Sequence, residues 1–550
     1  MQFVACFLLS ALALVAQQQA AAPAETKPED LCTVEGQVRN SATGEPIRKA
    51  EISLRGAERP AGGAGTRMDY SAVADAGGKF AIKDAEPGKY RLFVHRTGFV
   101  DTQYGARGPG RGGAVISLQK AGRLKDLVVQ LIPQAVIAGK VVDEKNEPAA
   151  SVRVSARRYS YLGGKKELLD AGSATSNDLG EYRIYGLAPG RYYLVAAHAD
   201  DDYAASLDRS AIPALESYVP TYYPGAADPD AAVPLEVGAG VQLRGTNLTL
   251  AKARTFRVRG RVAGQHNVNL RFFPRGESAW ASMSMGHMAD AQGAFEIRNV
   301  EPGGYTLLAT AWIDGKTYSA RQDVDVGEDN VDNLALTVEP GIEIKGRVET
   351  EGQATPDLNS VVVSLRDETG EFSAGSRVSN DAFTFDSVAL ASYRIGVLLL
   401  PDGYWVKSVK MGEQEVKESG IDLTRGPAGP ITVTIAPKAW LISGTVLNEK
   451  QQPAAGATVV LVPEPRLRGR EEAYKTTATD QYGSFTVKNI APGEYKLFAW
   501  EDVEYGEYLD PEFLKPVEDR GQSFSIQEGS RETVQLNVIP ADSAAKTRSQ

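Results

Sequence analysis

Cysteine is almost missing from this chain of 550 residues, which contains only Cys6 and Cys32. Because Cys6 lies in an N-terminal apolar run that we expect to be removed on export, one cysteine remains and an intramolecular disulfide is excluded. The folded chain must then be stabilised by core packing alone. A lone cysteine is most often a small buried apolar side chain, which we expect for Cys32; a reactive thiol is the alternative.

Histidine is also scarce, with four residues in the whole chain. None of them has a glutamate three positions later, which a zinc-peptidase pair would require. The chain also lacks the G-x-S-x-G nucleophile elbow, the G-x-x-x-x-G-K-[ST] phosphate loop and the C-x-x-C pair. Acidic residues cluster at 200–202 and 323–329, but their spacing matches no cation-binding loop, and we interpret both clusters as solvated surface. We therefore predict no catalytic site, no metal site and no cofactor.

A strong charge of one sign is lacking as well. The 60 Lys and Arg residues and 70 Asp and Glu residues give a formal net charge of −10, with both signs interspersed. Because no basic face is available to neutralise a phosphate backbone, we do not expect nucleic acid as a partner. The 55 glycines and 29 prolines favour frequent turns between short strands over long helices.

A long apolar run occurs at the N-terminus, where residues 1–16 end in small residues and are typical of a signal peptide. Residues 17–30 indicate a flexible leader, and residues 541–550 a polar tail. No later segment approaches the roughly 20 apolar residues that span a bilayer, so we predict no transmembrane segment in the mature chain. We expect an exported protein, either periplasmic or secreted.

The most informative pattern is an internal repeat. Five times the chain contains a short segment of the form apolar-x-Gly-x-Val, which we interpret as the opening strand of a module. The glycine lies on the same face as its apolar neighbours at period two, where it allows another backbone or a bulky ring to approach closely. The five glycines are Gly36, Gly139, Gly260, Gly346 and Gly444.

The second half of each repeat is predicted to be a β-hairpin. An aromatic residue is followed two positions later by an apolar one, and a tyrosine follows ten positions after the aromatic residue. The fixed spacing and the apolar face at period two indicate that these residues form the core of each module. They are Phe80, Ile82, Tyr90 and Leu92; Tyr182, Ile184, Tyr192 and Leu194; Phe295, Ile297, Tyr305 and Leu307; Phe383, Phe385, Tyr393 and Ile395; and Phe485, Val487, Tyr495 and Leu497.

Two turn patterns accompany this hairpin. Before it, Asp or Asn is followed three residues later by Gly, so the side chain can accept hydrogen bonds from nearby backbone while the glycine adopts a positive φ. Within it, Pro-Gly suits the two central positions of a type II turn. Both patterns change in the fourth repeat, at 379–382 and 390–391, and we expect that copy to be the most altered. The regular copies are Asp75 with Gly78, Asn177 with Gly180, Asp290 with Gly293, Asp480 with Gly483, and the pairs 87–88, 189–190, 302–303 and 492–493.

These residues resemble the carboxypeptidase regulatory-like and Cna-B-like families. The phrases Gly44-Glu-Pro-Ile, Asn146-Glu-Pro-Ala and Gln452-Pro-Ala-Ala-Gly-Ala, each followed by an alternating strand, strengthen the likeness. The resemblance implies an all-β fold of five tandem seven-stranded transthyretin-like β-sandwiches, also grouped with carbohydrate-binding-like folds, and it implies no activity. We place modules one to five at residues 31–133, 134–252, 253–340, 341–437 and 438–540.

The Cna-B-like resemblance also raises the question of an isopeptide crosslink, which some of these modules form between Lys and Asn. The lysines of the opening strands, Lys140 and Lys345, alternate with the core positions. They should therefore face outward, and we predict modules without crosslinks.

Two loops depart from the repeat and concentrate aromatic residues, at 200–235 in module two and at 500–521 in module five. Exposed aromatic faces suit sugar rings or a protein partner. The alternative is that the rings pack between modules and fix their relative angles. The candidate ligand-binding residues are Tyr218, Tyr222, Tyr223, Trp500, Tyr505, Tyr508 and Phe513.

Together these patterns predict a non-catalytic, extracytoplasmic string of modules. One hypothesis is a binding protein whose ligand is a polysaccharide at the cell envelope. A second is a structural or protein-interaction scaffold with an envelope protein as partner, and a third is an accessory subunit of a separate hydrolase. Exposed coplanar rings would favour the first hypothesis, and rings buried between modules the second.

Overall fold

The computed structural model describes residues 27–57, 69–198, 216–276, 286–353, 355–367, 370–527 and 531–541. The predicted signal peptide, most of the leader, the acidic cluster at 200–202 and nearly all of the polar tail lie outside these ranges. The described residues form the all-β fold that was predicted, and none of their helices has the length and apolar character needed to cross a bilayer. The helical segments are α1 (Pro511–Leu514) and the 3₁₀ turns Pro28–Asp30, Pro229–Ala231, Pro465–Leu467, Glu471–Ala473, Glu507–Leu509 and Lys515–Arg520.

Modules one and two each consist of two facing sheets with an apolar cluster between them. Module one contains β1 (Cys32–Asn40), β2 (Glu51–Gly56), β3 (Asp69–Val73), β4 (Lys79–Ala85), β5 (Gly88–His95), β6 (Thr102–Gln103), β7 (Ile116–Leu118) and β8 (Arg123–Leu131). Its sheets have the orders β4-β1-β8 and β3-β2-β5-β6, with β7 also beside β5. Module two contains β9 (Ala135–Val142), β10 (Val152–Leu162), β11 (Lys165–Thr175), β12 (Glu181–Leu187), β13 (Gly190–His198), β14 (Glu216–Tyr218), β15 (Thr221–Tyr222), β16 (Leu235–Val237), β17 (Gln242–Leu243), β18 (Leu248–Thr249) and β19 (Lys252–Arg254). Its main sheets are β12-β9-β17 and β11-β10-β13-β15.

Modules three and four repeat this plan around their own apolar clusters. Module three contains β20 (Phe256–Ala263), β21 (Asn269–Pro274), β22 (His287–Met288), β23 (Ala294–Val300), β24 (Gly303–Ile313), β25 (Lys316–Val326), β26 (Val331–Thr337) and β27 (Glu339–Pro340). Its sheets are β23-β20-β26 and β22-β21-β24-β25-β27. Module four contains β28 (Ile342–Thr350), β29 (Val362–Asp367), β30 (Ser373–Arg377), β31 (Ala382–Val388), β32 (Ser392–Leu398), β33 (Trp405–Met411), β34 (Gln414–Glu415), β35 (Ile421–Asp422) and β36 (Ile431–Ala436). Its sheets are β31-β28-β36-β33-β34 and β30-β29-β32-β35.

Module five has the seven strands that the resemblance implies. They are β37 (Trp440–Leu447), β38 (Thr458–Pro463), β39 (Lys475–Ala478), β40 (Ser484–Ile490), β41 (Gly493–Trp500), β42 (Gln522–Ile526) and β43 (Arg531–Asn537). They form the sheets β40-β37-β43 and β39-β38-β41-β42. Within the described ranges the sheets of three or more strands thus form one facing pair per predicted module, whereas the bounds of independently folding modules stay a prediction.

Each opening strand lies between two neighbours in its sheet. It pairs antiparallel with the strand that carries the first aromatic residue and parallel with a late strand of the same module. A Cβ atom added at Gly260 would lie 2.6 Å from Phe295 Cζ and 2.8 Å from the Cβ of Leu334, beside the Leu334 carbonyl of the parallel strand. Ring and backbone both approach this glycine closely, so the prediction made for it is confirmed.

The predicted hairpin is wrong, because its two strands belong to opposite sheets. In module one, β4 with Phe80 pairs with β1, whereas β5 with Tyr90 pairs with β2. The connection is therefore a corner between sheets, and the tyrosine hydroxyl stabilises it: Tyr90 Oη donates to the carbonyl of Glu86 at 2.8 Å. The same contact to the carbonyl four residues earlier occurs at Tyr192, Tyr305 and Tyr393.

Pro-Gly does not form the predicted type II turn at this corner. The four glycines instead begin the next strand, as Gly88 begins β5. The residue with left-handed φ lies three positions before the proline, at Asp84 (59°), Asn299 (57°) and Asn489 (56°), with Gly186 in module two. In module one the pairing register shifts there, so that two residues of β4 stand opposite one residue of β1. This is a β-bulge, which bends the strand toward the facing sheet.

The Asp/Asn-x-x-Gly turns are confirmed. Asp75 Oδ1 accepts from the backbone N–H groups of Gly77 and Lys79, each at 2.8 Å, and Gly78 has a φ of 71°. The equivalent side chains accept the same pair of bonds in the other regular copies, which are Asn177, Asp290 and Asp480.

Module four departs from the other copies, as expected. Its shortened turn places two successive residues, Asn380 and Asp381, at positive φ, as in a type I′ hairpin. In addition, β33 and β34 extend the sheet beyond β36, the strand that pairs parallel with the opening strand. Tyr393 nevertheless keeps the corner contact, since its hydroxyl donates to Ala389 at 2.9 Å.

The predicted core is confirmed almost completely. All the repeat residues named above are buried except Tyr305 and Tyr495, which are partly buried against the same clusters. Cys32 is fully buried, in agreement with the apolar interpretation. Lys140 and Lys345 face solvent, where they lie beside Glu181 and Glu343.

The modules do not form the simple string that was expected. Besides adjoining module four, module five also contacts modules one and two. Ser117 of module one exchanges two hydrogen bonds with the side chain of Gln481, each at 2.9 Å. The tip of the β10–β11 hairpin of module two reaches the loop 500–521 of module five. We call the arrangement in which module five contacts modules one, two and four the closed arrangement.

Candidate ligand-binding site

The loop 500–521 of module five covers the outer face of the sheet that contains β38 and β41. Alternate residues of β38 face the module core, while Val460 and Val462 point to the other side and enter a second apolar cluster. Phe498 and Trp500 of β41 do the same, with their rings stacked at 5.0 Å. A strand that is apolar on both faces must be covered on both, and the loop supplies the second cover.

Three of the four candidate residues in this loop are buried in that second cluster. Trp500 has no exposed surface, and Tyr508 and Phe513 are each 4% exposed. Trp500 packs against Phe513 at 6.0 Å between ring centroids. Burial leaves these rings no free face, so they stabilise the loop itself.

Tyr505 is the exception, since 64% of it is exposed. Its hydroxyl donates to Glu471 Oε1 at 2.6 Å, and its ring meets the ring of Tyr508 edge to face at 6.1 Å. Partial burial, followed by this bond to Glu471, raises the pKa of Tyr505 above its usual range. The phenol therefore stays neutral, and its ring is held in one orientation with a face toward solvent.

The candidate residues of module two pack onto their own module. Tyr218 and Tyr223 lie against the apolar cluster of module two, and Tyr222 lies half-buried on β15. Tyr218 Oη donates to Glu144 Oε2 at 2.8 Å, and the ammonium of Lys252 lies 2.5 Å from Glu144 Oε1 and 4.7 Å from the Tyr218 ring centroid. The hydrogen bond from Lys252 is the main cause that lowers the pKa of Glu144 to about 2.

Tyr505 lines a cleft of about 730 Å³ whose other walls belong to module one. The floor is the outer face of β2 and β5, and the loop 106–112 forms a side wall. We call this the interdomain cleft. Its residues are Glu51, Ser53, Arg55, Phe93 and His95 on the floor and Tyr505 opposite.

The residues on the floor of this cleft were not among the predicted ligand-binding residues. Tyr90, Leu92 and Val94 are buried core residues, so Phe93 lies out of phase with them and must point outward. An aromatic ring at an outward position was the available signal. The partner ring, Tyr505, lies more than 400 residues later, and no local pattern indicates that the two approach each other.

Most charges around the cleft are paired. His95 Nδ1 lies 2.6 Å from Asp101 Oδ1. Arg111 Nε lies 2.9 Å from Asp502. The guanidinium of Arg55 lies 4.8 Å from the centroid of the Phe93 ring. In the part of the chain that the structure describes, no group of three or more His, Cys, Asp and Glu residues has the arrangement of a metal site.

Comparisons with known proteins identify the fold of two segments. Residues 33–119 and 441–535 match the family model of the carboxypeptidase regulatory-like domain. Among solved structures, the TIE protein of Bacillus anthracis is similar at 11% identity and a TM-score of 0.15, over 75% of this chain and 76% of that one. The minor pilin GBS52 of Streptococcus agalactiae has 11% identity and a TM-score of 0.24, over 40% and 96%. The major pilin subunit BcpA of Bacillus cereus has 12% identity and a TM-score of 0.14, over 56% and 99%. No curated protein sequence matches.

Proposed function

We propose that this chain, in which residues 33–119 and 441–535 match the family model of the carboxypeptidase regulatory-like domain, is an exported, non-catalytic scaffold whose modules are held in the closed arrangement. The observation that carries the proposal is that module five contacts modules one, two and four at once. A flexible string of binding modules needs no such contacts. A scaffold that presents surfaces at fixed angles does, because domains joined by linkers alone move relative to one another.

The contact between modules one and five combines backbone pairing with charge. Val115 and Asp480 form a β-bridge, next to the double hydrogen bond between Ser117 and Gln481. The side chain of Arg111, which is 15% exposed, lies between the two modules and forms an ion pair with Asp502. These contacts use the Asp480 turn and the start of the loop 500–521, so the same segments that build module five also hold module one.

The contact between modules two and five is made by close backbone approach. A Cβ atom added at Gly164, in the β10–β11 turn, would lie 2.9 Å from Leu509 Cβ, and one added at Gly506 would lie 3.1 Å from Tyr161 Cβ. Ser160 Oγ donates to Glu504 at the same place. The hairpin tip thus rests on the loop whose rings form the second apolar cluster.

The contact between modules four and five joins loops of both. The backbone N–H of Gly403 donates to Asn489 Oδ1 at 2.9 Å, and Asn489 Nδ2 donates to the carbonyl of Pro401 at 3.2 Å. Lys488 and Asp402 form an ion pair at 2.8 Å. Asn489 is also the bulge residue of module five, so the corner and the junction depend on one side chain.

A scaffold is favoured over a protein that binds a polysaccharide through the two aromatic loops. Three of the seven candidate rings are buried and unavailable to a ligand, and Tyr218 and Tyr223 pack on the core of their own module. An envelope protein would then be the partner. No contact or cleft of the described residues specifically favours an accessory role beside a separate hydrolase. The proposal of export is based on the apolar residues 1–16, which lie outside the described ranges. N-terminal sequencing should find a mature chain that begins near Gln17, and an intact Met1 in a cytoplasmic form would contradict the proposal.

Small-angle scattering tests the closed arrangement. We expect the mature protein to match the closed shape, and the double variant Arg111→Glu with Gln481→Ala to have a larger radius of gyration. The control is Arg347→Glu, which reverses a 66% exposed charge inside module four and should change nothing. A wild-type radius as large as that of the double variant would overturn the proposal.

A further inference from the structure

The interdomain cleft has the size of a small-ligand site. Its volume of about 730 Å³ lies within the range of roughly 300–1,000 Å³ usual for such sites. Three of the residues on its side wall are glycines, at positions 108, 110 and 112. A wall with so few side chains leaves backbone N–H and C=O groups within reach of a bound polar molecule.

Two aromatic rings face this space from different modules. Phe93 is half-buried on the floor, with the guanidinium of Arg55 4.8 Å from its ring centroid, and Tyr505, which is 64% exposed, lines the cleft from module five. The bond between Tyr505 and Glu471 fixes the Tyr505 ring before any ligand arrives, so little side-chain entropy is lost on binding. Flat rings of this kind suit a ligand that has apolar faces and polar edges.

The charges select a neutral ligand. The residues that line the cleft include two acids, Glu51 and Asp101, and two bases, Arg55 and Arg111. Neither sign is therefore in excess, with His95 counted as neutral. Ser53, Thr102 and Gln103 add uncharged groups that donate and accept hydrogen bonds.

The cleft thus suits a ligand that has apolar faces, hydroxyl groups at its edges and no net charge. A neutral sugar chain has these properties. We propose that the interdomain cleft binds a neutral oligosaccharide, with Phe93 and Tyr505 as the stacking residues. This inference goes beyond the scaffold and rests on the closed arrangement, since the two rings belong to modules one and five. It also differs from the sequence prediction, because six of the seven residues proposed there do not line the cleft.

Calorimetric titration of the full mature protein tests the inference. The probes are linear neutral hexose oligosaccharides of four to six units, and uronic-acid oligosaccharides of the same lengths. We expect binding of at least one neutral probe, weakened about tenfold or more by Phe93→Ala and by Tyr505→Ala. Tyr505→Phe keeps the ring and should retain most of the affinity.

A matched control separates the cleft from exposed rings in general. Tyr185 of module two is 71% exposed and lies outside the cleft, so Tyr185→Ala should leave binding unchanged. All four variants should remain folded at the titration temperature, as thermal unfolding checks, because Phe93, Tyr185 and Tyr505 do not belong to the apolar clusters of their modules.

Several results would overturn the inference. Tighter binding of the uronic-acid probes would refute the neutral ligand, and equal effects of Tyr505→Ala and Tyr185→Ala would refute the site. Absence of binding in a protein whose scattering matches the closed shape would refute the ligand class while the scaffold stands. An extended shape in scattering would refute the scaffold, and the cleft with it.

Discussion

Replacing Gly260 by alanine tests the close approach on which every opening strand depends. The new Cβ would lie 2.6 Å from Phe295 Cζ and 2.8 Å from Leu334 Cβ. Carbon atoms pack best at about 3.5–4.0 Å, so ring and side chain would each have to retreat by about 1 Å. Phe295 is 6% exposed within the core, and the Leu334 carbonyl belongs to the hydrogen-bonded strand β26, so neither can move freely.

Overpacking of this kind costs about 1–3 kcal/mol. For a domain of this size each kcal/mol lowers the melting temperature by roughly 4–8 °C, so we expect a transition about 4–24 °C below the wild type. Differential scanning calorimetry of the mature protein measures it, and limited proteolysis should place the first cuts within residues 253–340.

The matched control is Gly327→Ala in the same module. No atom lies within 4 Å of a Cβ built at Gly327, so this variant should unfold with the wild type. If Gly260→Ala and Gly327→Ala have the same melting temperature, the opening glycine is not required for close packing, and close approach does not explain why glycine recurs in every opening strand.

Three further predictions concern other parts of the chain. Tyr495→Ala should destabilise module five by about 3 kcal/mol, since the ring is partly buried, and proteolysis should begin after residue 437; uniform digestion along the chain would contradict this. The pKa of Glu144 is lowered to about 2 in the folded chain, so its carboxylate stabilises the fold above the ordinary carboxyl pKa, and this stabilisation is lost as the pH falls toward 2. Glu144→Gln should therefore make the free energy of unfolding less dependent on pH in this range, as measured by fluorescence. Intact mass should show no loss of ammonia, because Lys140 and Lys345 face solvent, and a deficit of one ammonia per module would reveal a crosslink.

Sequence reasoning predicted the features that depend on a few neighbouring residues. The Asp75 turn follows from one carboxylate and one glycine, and the core of each module from period-two alternation. Gly260 was placed correctly because a missing side chain within an apolar strand requires a close neighbour.

The corner was mispredicted because two local interpretations competed. Pro-Gly is a strong turn signal, but the chain changes direction at the bulge before it, where Asp84, Asn299 and Asn489 tolerate left-handed φ. Recognising Asp, Gly and Asn at one repeat position would have predicted the bulge. The constant spacing of ten residues between the first aromatic residue and the tyrosine is the length of chain that passes from one sheet to the other.

The aromatic loops show where pattern alone is insufficient. Trp500 lies on a strand that is apolar on both faces, which is itself a sign of burial on both sides. It was grouped instead with the rings of the loop 500–521, for which the sequence left ligand binding and packing between modules open. The interdomain cleft was beyond any such reasoning, because it exists only where module five meets module one.

In the closed arrangement distant modules are connected in two ways, covalently along the chain and non-covalently through the contacts of module five. A protease that cuts the connection between modules two and three would therefore produce two pieces that remain attached to each other through Ser117 and Gln481 and through the β10–β11 tip. Denaturing electrophoresis would separate these pieces, whereas native chromatography would not. Damage to that one linker would then leave the assembly in place.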